Sequence, residues 1–251
     1  MDYQPATHLL HDRIILITGA SDGIGREAAL TYVRYGAQVI LLGRNPQKLQ
    51  SVADEIAAEG KAAPLTFTLD LNSATPEECR ELADELSRHV DRLDGVLHNA
   101  GLLGDVVPMT QQDPELWQQV MRVNVDATFF LTQALLPLLL QSPDGSLVFT
   151  SSSVGRQGRA GWGAYSVSKF ATEGMMQVLA EEYRDRLRVN CINPGGTRTK
   201  MRASAFPQED ANKLKTPADI MPVYLYVMGA DCRESGISFD AQPGRKAGPA
   251  E

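Results

Sequence analysis

The sequence predicts an α/β fold, a single doubly wound parallel sheet of about seven strands with helices on both faces. Two observations predict it. Short runs rich in β-branched residues and leucine alternate with longer helical segments along the chain. No low-complexity linker, repeat or break in composition interrupts this alternation. Buried strands that alternate with helices are typical of crossover units in a parallel sheet, so we expect one domain over residues 1–251.

The predicted strands are short and end in turns rich in glycine, serine or asparagine. In chain order, the strand-bearing segments are 13–18, 37–43, 64–70, 93–101, 145–153, 187–195 and 236–244.

The predicted helices carry recognisable start and stop residues. The first covers 26–35 and ends at Gly36, and the second covers 45–60, with a proline near its start and a glycine at its end. The third, 75–90, opens with Thr75 as a cap and a proline at the first helical position.

Composition and charge exclude several classes of protein. The 251 residues are 43% hydrophobic with a net charge of −7, which argues against a nucleic-acid-binding surface. The N-terminus has no apolar stretch that could act as a signal sequence. The most apolar segment, 127–140, is too short to cross a bilayer, so it predicts a buried or interfacial helix. Three widely spaced cysteines suggest neither disulfides nor a metal site, so we expect a cytoplasmic protein without metal, membrane or nucleic-acid partners.

A glycine-rich loop, TGASDGIGR, follows the first predicted strand. Its glycines, Gly19, Gly23 and Gly25, permit unusual dihedral angles and a close approach of backbone to a ligand. The helix start beyond them offers free N–H groups to a diphosphate. A tight turn with incidental glycines is the alternative, but the position between the first strand and the first helix favours dinucleotide binding on a Rossmann-type sheet.

The residues after the second predicted strand indicate which dinucleotide. An acid there would bind the ribose hydroxyl of NAD, whereas a basic residue suits the extra phosphate of NADP. This chain has Arg44 and Asn45, with no acid until Asp54. Arg44 can form a charge-assisted fork with a phosphate, and Ser21 could add a hydroxyl. We therefore expect NADP(H) to be preferred over NAD(H); the alternative is that Arg44 is a solvated loop residue.

The segment GAYSVSKF sets Tyr165 and Lys169 four residues apart. On a helix this spacing places the two side chains on the same side as neighbours. Taken alone, the pair favours a half-buried tyrosine beside a solvated surface lysine, since such pairs are common on amphipathic helices.

Several motifs in order decide the matter, because together they resemble the short-chain dehydrogenase/reductase family over residues 13–244. The matching motifs are the glycine loop 18–25, Asp70-Leu71, HNAG at 98–101, Asn124 in VNV, Ser152 in TSSSVG, Tyr165-x-x-x-Lys169, and NPGGTRT at 193–199. The segments ASDGIGREAA, LDGVLHNAGLLGD, SSSVGRQGRA and SFDAQPGR further resemble one bacterial group of oxidoreductases within that family.

The resemblance implies a role for each matching residue. The implied catalytic residues are Asn124, Ser152, Tyr165 and Lys169. The implied cofactor-binding residues are Gly19, Ser21, Asp22, Gly23, Ile24, Gly25, Arg44, Asp70, Leu71, Asn99, Ala100, Gly101, Tyr165, Lys169, Pro194, Gly195 and Thr197. Ser152 is chosen among three serines because the family's serine sits thirteen residues before the tyrosine. His98 departs from the family, which more often has asparagine there.

The chemistry of carbonyl reduction explains these residue types. A carbonyl that accepts hydride becomes an alkoxide and needs a proton at once. A free phenol, with a pKa near 10, is poorly matched to act as a base at neutral pH. We expect the Lys169 ammonium to lower the pKa of Tyr165, so that Tyr165 is the acid in reduction and the base in oxidation. Ser152 would bind the substrate oxygen, and Asn124 would help to position a water.

Substrate specificity is expected from the loops 102–109, 154–162 and 198–210. The first is apolar. The other two contain the basic residues Arg156, Arg159, Arg198, Lys200 and Arg202. These could attract an anionic substrate; alternatively, they are surface charges or pair with acids such as Asp105 or Asp210. Trp162 could face the substrate, or lie in the core or an interface.

The sequence therefore predicts an NADP(H)-dependent enzyme acting on a small carbonyl compound or its alcohol. A nucleotide-sensing protein without turnover is the alternative, although a binding protein needs no phenol and ammonium pair. The apolar helix 127–140 also raises an interaction protein, but we interpret it as a layer over the sheet or as the surface of a homodimer or homotetramer.

Overall fold

Among residues 3–243 the sheet is parallel throughout and has seven strands, as the sequence predicts. The computed structural model describes residues 3–243. Its strand order is β3-β2-β1-β4-β5-β6-β7. The strands are β1 (Ile14–Thr18), β2 (Gln38–Gly43), β3 (Leu65–Thr68), β4 (Gly95–His98), β5 (Gly145–Thr150), β6 (Leu187–Asn193) and β7 (Ser238–Asp240).

Helices cover both faces of this sheet, which confirms the doubly wound architecture. They are α1 (Gly23–Arg34), α2 (Pro46–Ala58), α3 (Pro76–Ser87), α4 (Pro114–Met121), α5 (Ala127–Leu139), α6 (Gly163–Glu182), α7 (Lys200–Ala205) and α8 (Met221–Met228). Side chains of α1, α2 and α8 form the core on one face, and those of α3, α5 and α6 form it on the other. The order reverses between β1 and β4, where such sheets open a crevice for ligands.

Local capping explains where the first helices begin. Asn45 and Thr75 cap α2 and α3, and Thr75 forms a reciprocal capping box with Glu78. The expected start of the first helix at Arg26 was wrong, because the Asp22 carboxylate accepts a hydrogen bond from the Gly23 amide and starts α1 three residues earlier. The last strand is shorter than the predicted 236–244, and Gly244 lies outside the described residues, as do the two ends of the predicted domain 1–251.

The apolar helix α5 is partly a sheet-covering layer, as expected. Ala127, Leu131, Leu135 and Leu139 recur every four residues on its buried side, whereas Phe129 on the other side is 47% exposed. None of the helices described is long and apolar enough to cross a membrane.

Charged residues gather at the amino ends of the central strands. The Arg13 guanidinium bonds Asp144 at 2.8 Å, and Arg188 contacts the same carboxylate at 3.1 Å. Asp94 accepts hydrogen bonds from Arg92 at 2.9 Å and from the Ser142 hydroxyl at 2.6 Å. These pairs fasten the amino edge of the sheet, opposite the edge at which the strands end.

Candidate active site at the carboxyl edge of the sheet

A cleft of about 910 Å³ opens at the carboxyl edge of the strands. It is lined by nearly all the residues that the sequence singled out: Gly19, Ser21, Asp22, Gly23, Ile24, Arg44, Asp70, Leu71, Asn99, Ala100, Gly101, Ser152, Tyr165, Lys169, Pro194, Gly195 and Thr197. Gly25 and Asn124 lie behind this lining rather than in it.

The glycine loop is shaped by backbone positions that a side chain would obstruct. Gly19 and Gly23 have φ angles of +65° and +55°, in the left-handed region that favours glycine. A Cβ on Gly25 would lie 2.3 Å from the Gly19 carbonyl oxygen. Gly25 therefore allows α1 to pack against the loop. Gly19 and Gly23 place no side chain over the backbone at the start of the helix, a geometry that fits a diphosphate.

Asp22 connects this loop to the far side of the cleft. Besides capping α1, it forms an ion pair with Lys200 at the start of α7. The hydrogen bond from Lys200 holds the pKa of Asp22 below its usual value. Asp22 therefore has a structural role in addition to its expected place beside the cofactor.

The loop after β4 is fastened to β1 by a residue that sequence reasoning did not single out. The Thr18 hydroxyl accepts hydrogen bonds from the backbone amides of Asn99 and Ala100, both at 3.0 Å. This holds Asn99, Ala100 and Gly101 beside the glycine loop. In the sequence, the position of Thr18 as the last residue of the first predicted strand could have indicated this role.

Arg44 stands exposed at the mouth of the cleft after β2. Within residues 3–243 no acid forms an ion pair with it. Its neighbour Asn45 is occupied in capping α2. The guanidinium is thus available to an anion entering this end of the cleft.

Ser152 and Tyr165 meet at the inner end of the cleft. The Ser152 side chain acts to lower the pKa of Tyr165. The adjacent Ser151 hydroxyl instead donates to the buried Glu173 at 2.5 Å, and Ser153 begins a short 3₁₀ turn. Of the three serines, the middle one is therefore the one paired with the tyrosine.

Lys169 is buried below Tyr165 on α6. Its ammonium donates a 2.7 Å hydrogen bond to the carbonyl oxygen of Thr150, the last residue of β5. Its stem packs closely on Gly155, where a Cβ would lie 2.8 Å from the Lys169 Cβ. Burial lowers the pKa of Lys169 to about 8.

The expected lowering of the Tyr165 pKa by Lys169 was wrong for this structure. Burial raises the pKa of Tyr165 to about 12, with the Ser152 side chain acting in the opposite direction. The reason is geometric: the Lys169 Nζ lies 5.5 Å from the centroid of the Tyr165 ring and donates to a backbone carbonyl. Tyr165 is therefore held as a neutral phenol at pH 7.

Asn124 occupies a π-helical turn, Arg122–Asp126, between α4 and α5. Its amide accepts a hydrogen bond from the Leu102 backbone at 2.7 Å and donates to the Leu102 carbonyl at 2.9 Å. It also donates to the Ser168 hydroxyl at 2.9 Å, next to Lys169. The extra residue of a π turn re-aims this side chain toward α6.

A residue that sequence reasoning missed shapes the turn after β6. Gln242 Nε2 donates to the Pro194 carbonyl at 2.9 Å and to the Gly196 carbonyl at 3.0 Å. It also reaches the Thr197 hydroxyl at 3.3 Å. Gln242 belongs to the segment SFDAQPGR, which resembles the family, but the hydrogen-bond partners of Gln242 lie more than forty residues away along the chain.

Most of the basic residues near the cleft are paired with acids, though not with Asp105 or Asp210. Arg156 pairs with Asp240 and Lys200 with Asp22. Arg202 pairs with the buried Glu209 at 2.6 Å. Arg198 donates to the Ala211 carbonyl at 2.7 Å. Arg159 lines the cleft, and no acid of residues 3–243 forms an ion pair with it.

Trp162 also lines the cleft, as one of the sequence alternatives expected. Its ring lies between Tyr165 and Phe206, with ring centroids 5.8 Å apart in both cases. It therefore forms an aromatic wall beside the phenol.

His98, the departure from the family pattern, is a packed core residue. It stacks on Phe149 with ring centroids 5.1 Å apart, and its Nε2 lies 2.9 Å from the Thr132 hydroxyl. That hydroxyl already donates to the Thr128 carbonyl at 2.7 Å, so His98 Nε2 carries the hydrogen. Burial lowers the pKa of His98 to about 3. In the described part of the chain, no cluster of three or more metal-ligating side chains occurs.

The fold, the glycine loop and the paired serine, tyrosine and lysine define a class of protein. A sequence model of the short chain dehydrogenase family matches residues 13–210. The chain belongs to this family of oxidoreductases.

Individual relatives cover nearly the whole chain, and the narrower bacterial likeness is confirmed. The chain is 71% identical over 249 residues to the uncharacterized oxidoreductase YciK of Escherichia coli (strain K12), with 99% of both chains covered. A short chain dehydrogenase from Shigella flexneri superposes with a TM-score of 0.98 at 70% identity, covering 99% of this chain and 98% of that one. Another, from Escherichia coli CFT073 and complexed with NADPH, has a TM-score of 0.94 at 71% identity, covering 95% and 100%.

Proposed function

We propose that this protein is an NADP(H)-dependent oxidoreductase that interconverts a small carbonyl compound and its alcohol, with Tyr165 as the acid and base. The observation that carries the proposal is the meeting of Ser152, Tyr165 and Lys169 at one end of a cleft whose other end is the glycine loop. A single elongated ligand lying in this cleft would touch both ends.

The residues that line the cleft fit a dinucleotide, and Arg44 at one end of the cleft favours NADP(H). The backbone at Gly19 and Gly23, which carries no side chain, suits a diphosphate, and Asp70 and Leu71 line the same cleft. Arg44 would bind the extra phosphate of NADP. A relative that is 71% identical was crystallised with NADPH, which supports the same cofactor here. When bound, the dinucleotide supplies hydride to the carbonyl or accepts it from the alcohol.

The chain's own groups manage the proton. Tyr165 is protonated at neutral pH, so it can donate its phenolic proton to the alkoxide oxygen as that oxygen forms. The Ser152 hydroxyl, which lines the same cleft as the phenol, would hold the same oxygen in place.

A panel of aldehydes, ketones and ketoacids tests this function. Consumption of NADPH is followed by absorbance with each compound, and NADH is run in parallel. Turnover with one or more carbonyls and NADPH supports the proposal. Binding of NADPH by calorimetry without any turnover across the panel would favour the alternative, a nucleotide-sensing protein.

We also propose that a second copy of the chain covers the exposed apolar side chains of α5 and α6, giving a homodimer or homotetramer. Phe129 on α5 and Val167, Phe170 and Val178 on α6 are 39–57% exposed. The α6 residues recur at helical spacing along one stripe. Light scattering should give a mass above 27.4 kDa, and Phe170→Arg should lower it.

The three cysteines are free and buried, which suits the reducing cytoplasm in which we expect the protein to act.

A further inference from the structure

A buried carboxylate lies close to the proposed catalytic groups and has no part in the function proposed above. Glu173 follows Lys169 by one helical turn on α6 and is only 6% exposed. Its Oε1 accepts the Ser151 hydroxyl at 2.5 Å and the Ser238 hydroxyl at 2.8 Å. A buried carboxylate is costly unless it is bonded or paired, so its retention here calls for a physical reason.

The two hydroxyl contacts connect three elements that build the site. Ser151 directly follows β5. It lies between Thr150, whose carbonyl accepts the hydrogen bond of Lys169, and Ser152, whose side chain acts on the pKa of Tyr165. Ser238 is the first residue of β7. Glu173 therefore fixes the carboxyl end of β5 against both α6 and β7, at the point where the phenol and the ammonium are held.

Charge gives Glu173 a second effect on Lys169. Burial lowers the pKa of Lys169, and Cys191 and Glu173 act in the opposite direction. Burial also raises the pKa of the Cys191 thiol well above its ordinary value, so this group is neutral at pH 7 and exerts no attraction as an anion. Glu173 is then the negative charge that favours the ammonium form of Lys169.

We propose that Glu173 is a positioning residue of the active site, whose carboxylate balances the charge of the Lys169 ammonium and fixes the end of β5 that carries Ser152. The consequence for catalysis rests on the function proposed above, but the effect on Lys169 does not.

In the part of the chain that the structure describes, few other titratable groups act on this pair, and they differ in character. Tyr165 lies on the same helix, Cys191 faces the pair from β6, and Tyr224 of α8 lies near the phenol. Arg156, from the turn after β5, interacts with Glu173 but is held by its ion pair with Asp240 of β7. Removing the carboxylate therefore leaves no equivalent negative charge at Lys169.

The test is a pH titration of the protein labelled with ¹³C at the lysine side chains, observed by NMR. The Lys169 signal is assigned by its loss in Lys169→Arg. In Glu173→Gln, which keeps the shape and removes the charge, the midpoint for Lys169 should fall by about one pH unit. The matched control is Ser238→Ala, which removes one hydroxyl contact to the same oxygen and keeps the carboxylate. Its midpoint should remain that of the wild-type protein.

A Lys169 midpoint that is unchanged in Glu173→Gln overturns the proposal. If this variant does not fold, Glu173→Met provides the same neutral comparison at similar length, and an unchanged midpoint there has the same meaning. An equal fall in Ser238→Ala would also overturn it, because the effect would then be one of packing.

Activity supplies a second readout that separates this proposal from the proposed function. In Glu173→Gln, the high-pH fall of kcat should move to lower pH along with the NMR midpoint, whereas in Ser238→Ala it should not. A wild-type protein with no turnover on any carbonyl contradicts the proposed function, while the NMR titration still decides the effect on Lys169.

Discussion

Lys169 Nζ lies 5.5 Å from the centroid of the Tyr165 ring and donates its hydrogen bond to the Thr150 carbonyl rather than to the phenol. The cation is thus beside the ring and not at its hydroxyl. Because burial dominates the pKa of Tyr165 in this arrangement, the tyrosine is ready as a proton donor. The same arrangement makes the proton on Tyr165 the first object of mutational tests.

Tyr165→Phe should abolish most turnover and leave the cofactor site intact. Removing a general acid costs about 100- to 10,000-fold in rate, and the phenyl ring keeps the shape of the cleft beside Trp162. Steady-state kinetics with NADPH gives kcat, and fluorescence titration gives NADPH affinity. Tyr183→Phe, at the end of the same helix, is the matched control and should behave like the wild-type protein. Wild-type kcat in the Tyr165→Phe variant would exclude the proposed role.

Arg44→Ala should weaken NADPH binding selectively. The loss of a charge-assisted contact to phosphate, worth about 1.5–3 kcal/mol, corresponds to an affinity about 10- to 100-fold lower. NADH lacks the phosphate, so its affinity should not change. Calorimetry with both cofactors measures this, with Arg80→Ala on the surface of α3 as the control. Equal effects on NADPH and NADH would contradict the assignment of Arg44.

Stability should fall in acid because of His98. The pKa of this buried histidine is lowered to about 3, whereas in the unfolded chain it is about 6.5. Between these values the unfolded state binds a proton that the folded state does not, so the free energy of unfolding falls as pH decreases through this window. The expected loss from pH 7 to pH 5 is about 2 kcal/mol.

Urea unfolding at the two pH values measures the loss, and His98→Asn isolates it from the carboxylates that titrate in the same range. The asparagine variant should lose about 2 kcal/mol less than the wild-type protein between pH 7 and pH 5. Parallel losses in the two proteins would show that His98 does not carry this pH dependence.

Arg159→Gln should change the preference between anionic and neutral substrates. Arg156, Lys200 and Arg202 are already neutralised by acids, so Arg159 is the cation on the cleft wall best placed to meet a substrate carboxylate or phosphate. Loss of this contact should raise KM about tenfold for a carboxylated carbonyl and leave a neutral analogue unchanged. Lys213→Gln, outside the cleft lining, is the control. Similar KM changes for both substrates would exclude anion recognition by Arg159.

The sequence predicted the fold, the glycine loop and the Tyr165/Lys169 pair from short-range patterns, whereas the resemblance to the family implied the other residues of the cleft. The glycine loop follows a strand and precedes a helix, and Tyr165 and Lys169 are separated by one helical turn; both spacings are readable directly. The choice of Ser152 among three serines rested on the spacing of the family motif, and in the structure the Ser152 side chain acts on the pKa of Tyr165.

The remaining features depend on contacts between distant parts of the chain. Arg156 finds Asp240 at a separation of 84 residues, and Gln242 reaches the turn after β6 from beyond β7. The pKa of Tyr165 was misjudged because burial is a property of the packed molecule, which spacing along one helix does not reveal. The start of α1 shifted because Asp22 acts as a cap, a role that its place in a ligand-binding motif obscured.

All seven strands of the described residues run in one direction, so the amino edge and the carboxyl edge of the sheet have separate roles. At the amino edge, ion pairs and hydrogen bonds of Arg13, Asp94, Asp144 and Arg188 fasten the sheet. The carboxyl edge holds the groups proposed for chemistry and the loops expected to determine substrate specificity. Descendants of such a gene can exchange those loops and acquire new substrates without disturbing the contacts at the amino edge. Change in substrate specificity and stability of the fold thus depend on opposite ends of the same strands.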